Sequence, residues 1–179
     1  LIIFVTYQNN HLVVSRYEYQ SENVKCRIVQ LSDIHNTYLW FDDDYIVDAV
    51  RKEQPDIIVI TGDLVDSNRT NIDKAGRLLK RLSQIADTYY VTGNSDYLLS
   101  DAKQEKMFSA LSVAGVKVLD DKYVMLEGYG APFALIGISD ISLQGSALSN
   151  ISKQIDEEQG ACMKVLLVHE PQYFEDYAT

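Results

Sequence analysis

Positive charge and cysteine are both scarce in this sequence. Its 16 lysine and arginine residues are outnumbered by 26 aspartate and glutamate residues, so the formal net charge at pH 7 is −10. That charge repels nucleic-acid phosphates and no basic cluster interrupts it, so we expect no nucleic-acid partner. The two cysteines, Cys26 and Cys162, lie far apart in the sequence and match neither a zinc-ligand pair nor a disulfide framework. We interpret them as partly buried thiols.

Long apolar runs are absent as well. The run LIIFV at residues 1–5 is much shorter than the roughly 20 apolar residues that span a bilayer. We interpret it either as the end of a removed membrane anchor, or as an edge strand or disordered start. An anchor would attach the domain to a membrane. Because residues 6–24 hold one basic side chain, Arg16, the anchored alternative favours a domain outside the cytoplasm. Without an anchor we expect a cytoplasmic protein.

The composition predicts one folded domain. A chain of 179 residues that is 46% hydrophobic is long and apolar enough to bury a core. Apolar patterning predicts strands over residues 27–31, 56–61 and 88–92, with helices over residues 42–53 and 71–86 between them. This alternation is typical of βαβ units that share a parallel sheet.

The second half of the chain predicts a second sheet packed on the first. A helix over residues 101–114 carries Gln104, placed to complete a capping box, and stops at Gly115. Further strands are predicted over residues 116–119, 123–127, 133–138 and 165–168, with a helix over residues 148–158 before the last of them. Residues 25–179 form the predicted domain, and residues 1–24 form an N-terminal segment with a first strand over residues 12–19.

Polar motifs follow four of the predicted strands. They are Asp33-Ile-His35, Gly62-Asp63-Leu-Val-Asp66, Gly93-Asn94-Ser95-Asp96 and His169. Each is weak when taken singly, because an Asp-x-His pair is usually a turn with a helix cap and a lone histidine is usually a core residue. Since the carboxyl ends of parallel strands share one edge, we expect the motifs to meet there. Carboxylate, imidazole and amide ligands suit Mn, Fe, Zn or similar divalent ions.

In this order, and in the wording SDIH, TGDLVD and LLVHEP, the motifs resemble those of the calcineurin-like metallophosphoesterase superfamily. The match covers residues 28–171 and is most similar to the single-domain bacterial branch, whose members are often membrane-anchored. The resemblance implies an α/β fold, a four-layer αββα sandwich of two mixed sheets, with a two-metal site between the sheet edges. It also implies hydrolysis of a phosphomonoester or phosphodiester in a small phosphorylated substrate, by water that two divalent cations activate.

The resemblance also implies a role for each matched ligand position. Asp33 and His35 match ligands of the first metal ion. Asp63 matches the carboxylate that bridges both ions. Asn94 and His169 match ligands of the second ion.

The other matched positions support the ligands or approach the substrate. Asp66 and Asp96 match residues that hold neighbouring groups in place. Asn94, Ser95 and Asp96 match the catalytic motif of the family, and Asn94 and Ser95 match the positions that contact the substrate phosphate. The resemblance therefore predicts a catalytic and substrate-binding turn directly after the third strand.

Two departures from the family pattern leave a second hypothesis open. Ser95 stands where the family has a histidine that assists the leaving group, and a hydroxyl cannot carry the charge of an imidazolium. The Gly-His-x-His motif that supplies the last metal ligands is absent after His169. We therefore expect this chain to stop before that motif, with an incomplete metal site. The alternative to a phosphoesterase is a non-catalytic module that binds metal or phosphate.

Overall fold

The computed structural model describes residues 12–35, 43–66, 70–139 and 146–170. The apolar run at residues 1–5 lies outside these ranges. The described helices and strands are, in chain order, β1 (Ile28–Leu31), α1 (Asp43–Glu53), β2 (Ile57–Thr61), α2 (Ile72–Leu82), β3 (Asp87–Val91), α3 (Asn94–Tyr97), α4 (Asp101–Ala114), β4 (Lys117–Val118), β5 (Lys122–Leu126), β6 (Phe133–Gly137), α5 (Ala147–Gln159) and β7 (Met163–Leu167).

The first sheet has the strand order β1-β2-β3-β4, and every described pairing in it is parallel. Helices connect each strand to the next and return the chain to the same starting edge, which is the connection that parallel strands require. The carboxyl ends of β1, β2 and β3 therefore lie side by side. This confirms the predicted βαβ pattern and brings the first three motifs to one edge.

The second sheet has the order β5-β6-β7. The short connection between β5 and β6 makes an antiparallel hairpin, whereas α5 crosses back so that β7 runs parallel to β6. The second sheet is therefore mixed, as expected. The expectation of two mixed sheets is wrong for the first sheet within the described residues, because helical crossovers join all of its strands.

Three clusters of buried apolar side chains hold these elements together. Ile58 and Ile60 of β2 face a cluster built by α1, α2 and α4. Ile57 and Val59 point the other way, into a cluster that includes Leu135 of β6 and so lies between the two sheets. A third cluster packs other residues of β6 against α5. Because successive side chains of a strand alternate between faces, β2 and β6 each serve two clusters.

The N-terminal segment differs from the prediction. Residues 12–19 form no strand, and Val13, Tyr17 and Tyr19 are 72%, 94% and 82% exposed. Their β-forming residues find no partner strand among the described residues, and an unpaired strand gains little from its intrinsic preference. The segment is tied to α1 by Arg16, whose guanidinium donates to the Glu53 carboxylate at 2.9 and 2.6 Å.

Two smaller expectations are also corrected. The capping box at α4 does not form, because Ser100 is the N-cap and Gln104 lies one position beyond the residue that would close the box. The Gln104 side chain instead donates to the carbonyls of Tyr97 and Leu99. The helix expected over residues 71–86 ends at Leu82, since the chain turns there toward β3. None of the described helices is long and apolar enough to cross a membrane.

Candidate metal centre

The loops after β1 and β2 are joined by their backbones. The Asp33 amide donates to the Gly62 carbonyl at 3.3 Å, and the His35 amide donates to the Asp63 carbonyl at 2.9 Å. These two bonds continue the pairing of β1 with β2 beyond the sheet edge. The first two motifs therefore lie against each other because their strands are neighbours in a parallel sheet.

Three residues of these loops have unusual backbone conformations. Asp33, His35 and Asp63 have φ values of 54°, 47° and 53°. Non-glycine residues seldom adopt positive φ, and each such residue costs on the order of 1 kcal/mol or more that the surrounding structure must offset. Such strain is concentrated at functional sites. Three strained residues that meet in space therefore mark this edge as a candidate site.

Asp63 lies at the centre of the site, and its side chain is 5% exposed. Its Oδ1 accepts a hydrogen bond from the Ser95 amide at 2.9 Å, and its Oδ2 accepts one from the Ser95 hydroxyl at 2.7 Å. The Nε2 atom of His35 lies 3.3 Å from Oδ2, and the Nε2 atom of His169 lies 3.5 Å from Oδ1. The carboxylate is thus flanked by an imidazole on each side.

The tautomer of His169 follows from its other contact. Its Nδ1 lies 2.9 Å from the Thr61 carbonyl oxygen, which can only accept a hydrogen bond, so Nδ1 carries the proton. When the ring is neutral, it presents a lone pair at Nε2, toward Asp63. A lone pair and a carboxylate oxygen at 3.5 Å repel each other unless a cation or a proton lies between them. A bound metal ion would resolve that conflict.

Asp33, His35 and Asp63 form a compact group in which one ligand atom from each lies within 4.8 Å of the others. Asp33 is 59% exposed at its side chain, and its Oδ1 lies 3.6 Å from the His35 Nε2 atom. Two carboxylates and one imidazole within this distance match the donor set that divalent transition ions prefer. The residues therefore fit one divalent metal ion.

Asn94 and His169 adjoin this compact group. Asn94 Nδ2 donates to the Glu170 carboxylate at 3.2 Å, and its Oδ1 lies 3.5 Å from the Ser95 hydroxyl. Five predicted ligands thus lie near one another, with Asp33, His35 and Asp63 grouped closely, His169 beside Asp63, and Asn94 linked through Ser95. Their roles as metal ligands stay predictions.

Asp96 joins the loops after β2 and β3. Its buried Oδ2 accepts hydrogen bonds from the Asp63 amide at 3.1 Å, from the Gly93 amide at 2.9 Å and from the Tyr90 hydroxyl. Burial raises the pKa of Asp96, and the Tyr90 hydrogen bond partly opposes that rise. The pKa of the Tyr90 hydroxyl is also raised, mainly by burial and then by Asp96. These contacts join Asp96 to both loops, and its predicted supporting role stays a prediction.

The other predicted supporting residue, Asp66, is half-buried three residues beyond Asp63. Its backbone carbonyl accepts a hydrogen bond from the Thr70 hydroxyl at 2.9 Å. That bond joins Thr70 to the last residue of the second motif. The predicted role of the Asp66 side chain stays a prediction.

Two contributors to the site were missed in the sequence. Tyr90 points its hydroxyl to Asp96, six residues later, and nothing in the apolar run TYYV distinguishes it from Tyr89. The second contributor is the pair of glycines that end β2 and β3, Gly62 and Gly93. A Cβ atom on Gly62 would lie 2.6 Å from His169 Nδ1, and one on Gly93 would lie 2.4 Å from Asp63 Oδ1. The repeated strand-end glycine was the available signal for this close packing.

A second polar network supports the turn that carries Asn94 and Ser95. Asp120 accepts hydrogen bonds from the Thr92 amide at 2.9 Å and from the Thr92 hydroxyl at 3.1 Å. With the Thr92 proton given to Asp120, the Tyr97 hydroxyl must be the donor in its 2.6 Å contact with Thr92. The turn is therefore anchored at both ends, through Thr92 and Tyr97.

Replacing Asp120 by asparagine should flatten the pH dependence of stability. Burial raises the pKa of Asp120, so the folded protein binds this proton more tightly than the unfolded chain does. The stability that Asp120 contributes is therefore greatest below the ordinary carboxyl pKa, and it falls as the pH rises toward the raised pKa. Asparagine keeps an oxygen that can accept from Thr92 but does not titrate. Urea unfolding between about pH 3 and pH 7 measures the difference.

The control for this experiment is Asp101→Asn, which removes one exposed carboxylate from the first turn of α4. It should shift the stability of the protein little at any pH. Parallel stability curves for the wild type and Asp120→Asn would contradict the assignment of this titration to Asp120.

The chain belongs to the calcineurin-like phosphoesterase family, because the family model matches residues 26–178. This confirms the resemblance that the four motifs indicate. The family and the Asp33, His35 and Asp63 group together imply use of a divalent metal.

Curated relatives agree with this assignment. The chain is 28% identical over 149 residues to the uncharacterized metallophosphoesterase YkoQ of Bacillus subtilis strain 168. The aligned region covers 82% of this chain and 54% of that protein. It is 32% identical over 161 residues to a transmembrane protein with metallophosphoesterase domain of Bos taurus, which covers 81% of this chain and 35% of that protein. The chain thus spans about half of the first relative and about a third of the second.

A solved structure shares the fold. The protein TT1561 of Thermus thermophilus superposes with a TM-score of 0.56 at 14% identity, over 79% of this chain and 67% of that chain. At this identity the similarity concerns the fold alone. It supports an α/β fold with a parallel sheet and a second sheet.

Proposed function

We propose that the chain is the catalytic part of a metal-dependent hydrolase that cleaves a phosphomonoester or phosphodiester in a small phosphorylated substrate. The observation that carries this proposal is the position of Asp63, a buried carboxylate with the Nε2 atom of His35 at 3.3 Å and that of His169 at 3.5 Å. A buried carboxylate with an imidazole beside each oxygen is suited to being shared by two cations, because each cation could take one imidazole and one carboxylate oxygen.

The proposed ligand sets follow the two sides of Asp63. Asp33, His35 and Asp63 would hold one ion, and Asp63, Asn94 and His169 would hold the other. Two divalent ions, when bound, lower the pKa of water and neutralise charge on the phosphoryl oxygens. Mn, Fe and Zn all suit this mixture of oxygen and nitrogen ligands.

The exposed residues of the site would form the part that faces the substrate. Asn94 is exposed, and its amide lies at the rim of the site, where it can donate to a phosphoryl oxygen. The exposed carboxylate of Asp33 marks the solvent-facing side of the same group. Asp96 and Asp66 would fix the loops rather than touch the substrate. A small phosphorylated substrate bound at this sheet edge is part of the proposal.

The fold and location of the protein belong to the same proposal. The three apolar clusters support a four-layer αββα order, with α1, α2 and α4 outside the first sheet and α5 outside the second.

The relative from Bos taurus is named as a transmembrane protein, and the run at residues 1–5 is apolar. We therefore propose membrane association through an N-terminal anchor, and no nucleic-acid partner because of the net charge of −10.

The test is hydrolysis of p-nitrophenyl phosphate and bis-p-nitrophenyl phosphate by the full-length gene product. We expect EDTA to abolish the reaction and Mn²⁺ to restore it, because the water is activated by the ions. The faster of the two substrates indicates the preferred ester class. Mn²⁺ binding without hydrolysis of either substrate would favour the non-catalytic module instead, and hydrolysis that survives EDTA would overturn the proposal.

A further inference from the structure

Ser95 contacts both oxygens of the Asp63 carboxylate. Its backbone amide, in the one-turn helix α3, donates to Oδ1 at 2.9 Å, and its side-chain hydroxyl donates to Oδ2 at 2.7 Å. Two donors from one residue fix the plane of the carboxylate as well as its position. Within the described part of the chain, Ser95 is therefore the residue that sets the orientation of the Asp63 side chain.

The hydroxyl contact uses the only proton that Ser95 can donate from its side chain. A serine hydroxyl carries one hydrogen and two lone pairs. The alternative acceptor, Asn94 Oδ1, lies at 3.5 Å, whereas Asp63 Oδ2 lies at 2.7 Å, so the proton belongs to Asp63. In this arrangement a leaving group would have to compete with a buried carboxylate for the same proton.

The contacts leave lone pairs of Asp63 available for metal ions. An ionised carboxylate offers about four acceptor positions, two on each oxygen. Ser95 takes one position on each oxygen. One position on each oxygen remains, and each oxygen has an imidazole Nε2 within 3.5 Å, from His35 on one side and His169 on the other.

We propose that Ser95 is a positioning residue that orients the Asp63 carboxylate for metal binding, rather than a donor to the leaving group. The inference rests on the metal site of the proposed function, since it needs Asp63 to be a metal ligand. Hydrogen bonds to a ligating carboxylate hold it in its binding orientation, and losing one such partner typically weakens metal affinity by about 10- to 100-fold. A residue that assisted the leaving group would change metal affinity little.

The experiment titrates Mn²⁺ into the wild type, Ser95→Ala and Ser95→Thr. The chain has three histidines, so its imidazole NMR spectrum is simple, and paramagnetic broadening of the His35 and His169 ring signals reports binding at the site even when it is weak. Ser95→Ala removes the hydroxyl and keeps the amide contact, whereas Ser95→Thr keeps both. Ser112→Ala, at an exposed position of α4, is the matched control.

We expect Ser95→Ala to raise the Mn²⁺ midpoint by about 10- to 100-fold, while Ser95→Thr and Ser112→Ala stay close to the wild type. Urea unfolding without metal should stay a single cooperative transition in every variant, which separates positioning from a loss of fold. In the hydrolysis assay, Ser95→Ala should slow nitrophenyl and alkyl phosphates equally, because a misplaced ligand affects both.

Unchanged Mn²⁺ affinity in Ser95→Ala, or a rate loss confined to alkyl phosphates, would overturn the positioning role and leave the proposed function intact. If Ser95→Ala weakens Mn²⁺ binding as expected but the full-length gene product hydrolyses no phosphoester, the proposed function fails and the positioning role stands. Absence of Mn²⁺ binding in both the wild type and the full-length gene product would overturn both.

Discussion

Replacing Asp63 by asparagine is expected to abolish both Mn²⁺ binding at the site and metal-dependent hydrolysis of phosphoesters. Asp63 is the one described carboxylate with an imidazole Nε2 within 3.5 Å of each oxygen, so it is the group that two ions would share. The substitution keeps the size of the side chain and removes its charge. We expect hydrolysis to fall by about 1,000-fold or more, which corresponds to roughly 4 kcal/mol of lost transition-state stabilisation.

The control for Asp63→Asn is Asp73→Asn in the first turn of α2. Asp73 is 71% exposed at its side chain and pairs with Lys106 at 2.8 Å, so its loss removes one carboxylate without touching the site. Exposed pairs of this kind contribute little to stability. Mn²⁺ binding and hydrolysis should stay at the wild-type level in Asp73→Asn. Undiminished hydrolysis in Asp63→Asn would show that the metal ions bind elsewhere.

Replacing Gly93 by alanine is expected to destroy the site without removing any ligand. A Cβ atom at this position would lie 2.4 Å from Asp63 Oδ1, 2.7 Å from the Asp63 amide nitrogen and 2.9 Å from His169 Cγ. The φ value of Gly93 is −104°, which alanine adopts freely, so the expected cost comes from space alone. Overpacking of this kind costs about 1–3 kcal/mol, and the displaced Asp63 carboxylate should lose its Mn²⁺.

Gly76→Ala is the matched control for this substitution. Gly76 lies inside α2, and the nearest atom to its added Cβ would be the Ala110 Cβ at 3.5 Å, an ordinary contact. Alanine in a helix is favoured over glycine by about 0.5–1 kcal/mol, so this variant should be slightly more stable than the wild type. Urea unfolding and Mn²⁺ titration of both variants make the comparison. A Gly93→Ala protein with wild-type stability and affinity would contradict the close packing.

The architecture and the meeting of the motifs could be predicted because both depend on local patterns. Apolar runs at β1, β2 and β3, separated by helical periods, predict parallel neighbours, and parallel neighbours place their following loops at one edge. Asp33 and Asp63 therefore came together by topology alone. His169 follows β7 of the second sheet and lies beside Asp63, because the two sheets pack against each other through a shared apolar cluster.

The contacts within the site depend on distances between loops, which the pattern of residue types does not contain. The sequence places Ser95 beside Asn94 but does not reveal that its hydroxyl turns to Asp63. Tyr90 and its neighbour Tyr89 are the same residue type, so the sequence does not distinguish them. Because successive side chains of a strand face opposite sides, Tyr90 faces the side where its hydroxyl donates to Asp96. The segment at residues 12–19 has strand-forming residues, but a strand also needs a partner, and strand preference alone does not supply one.

The most direct test of the metal centre is a crystal of the full-length gene product soaked in Mn²⁺, with diffraction collected at the manganese absorption edge. We expect an anomalous difference peak about 2.0–2.3 Å from an oxygen of Asp63, with Asp33 and His35 among its other ligands. A second peak on the side of Asn94 and His169 would establish the two-metal arrangement. Manganese bound only away from Asp63, in protein that hydrolyses phosphoesters, would contradict the account.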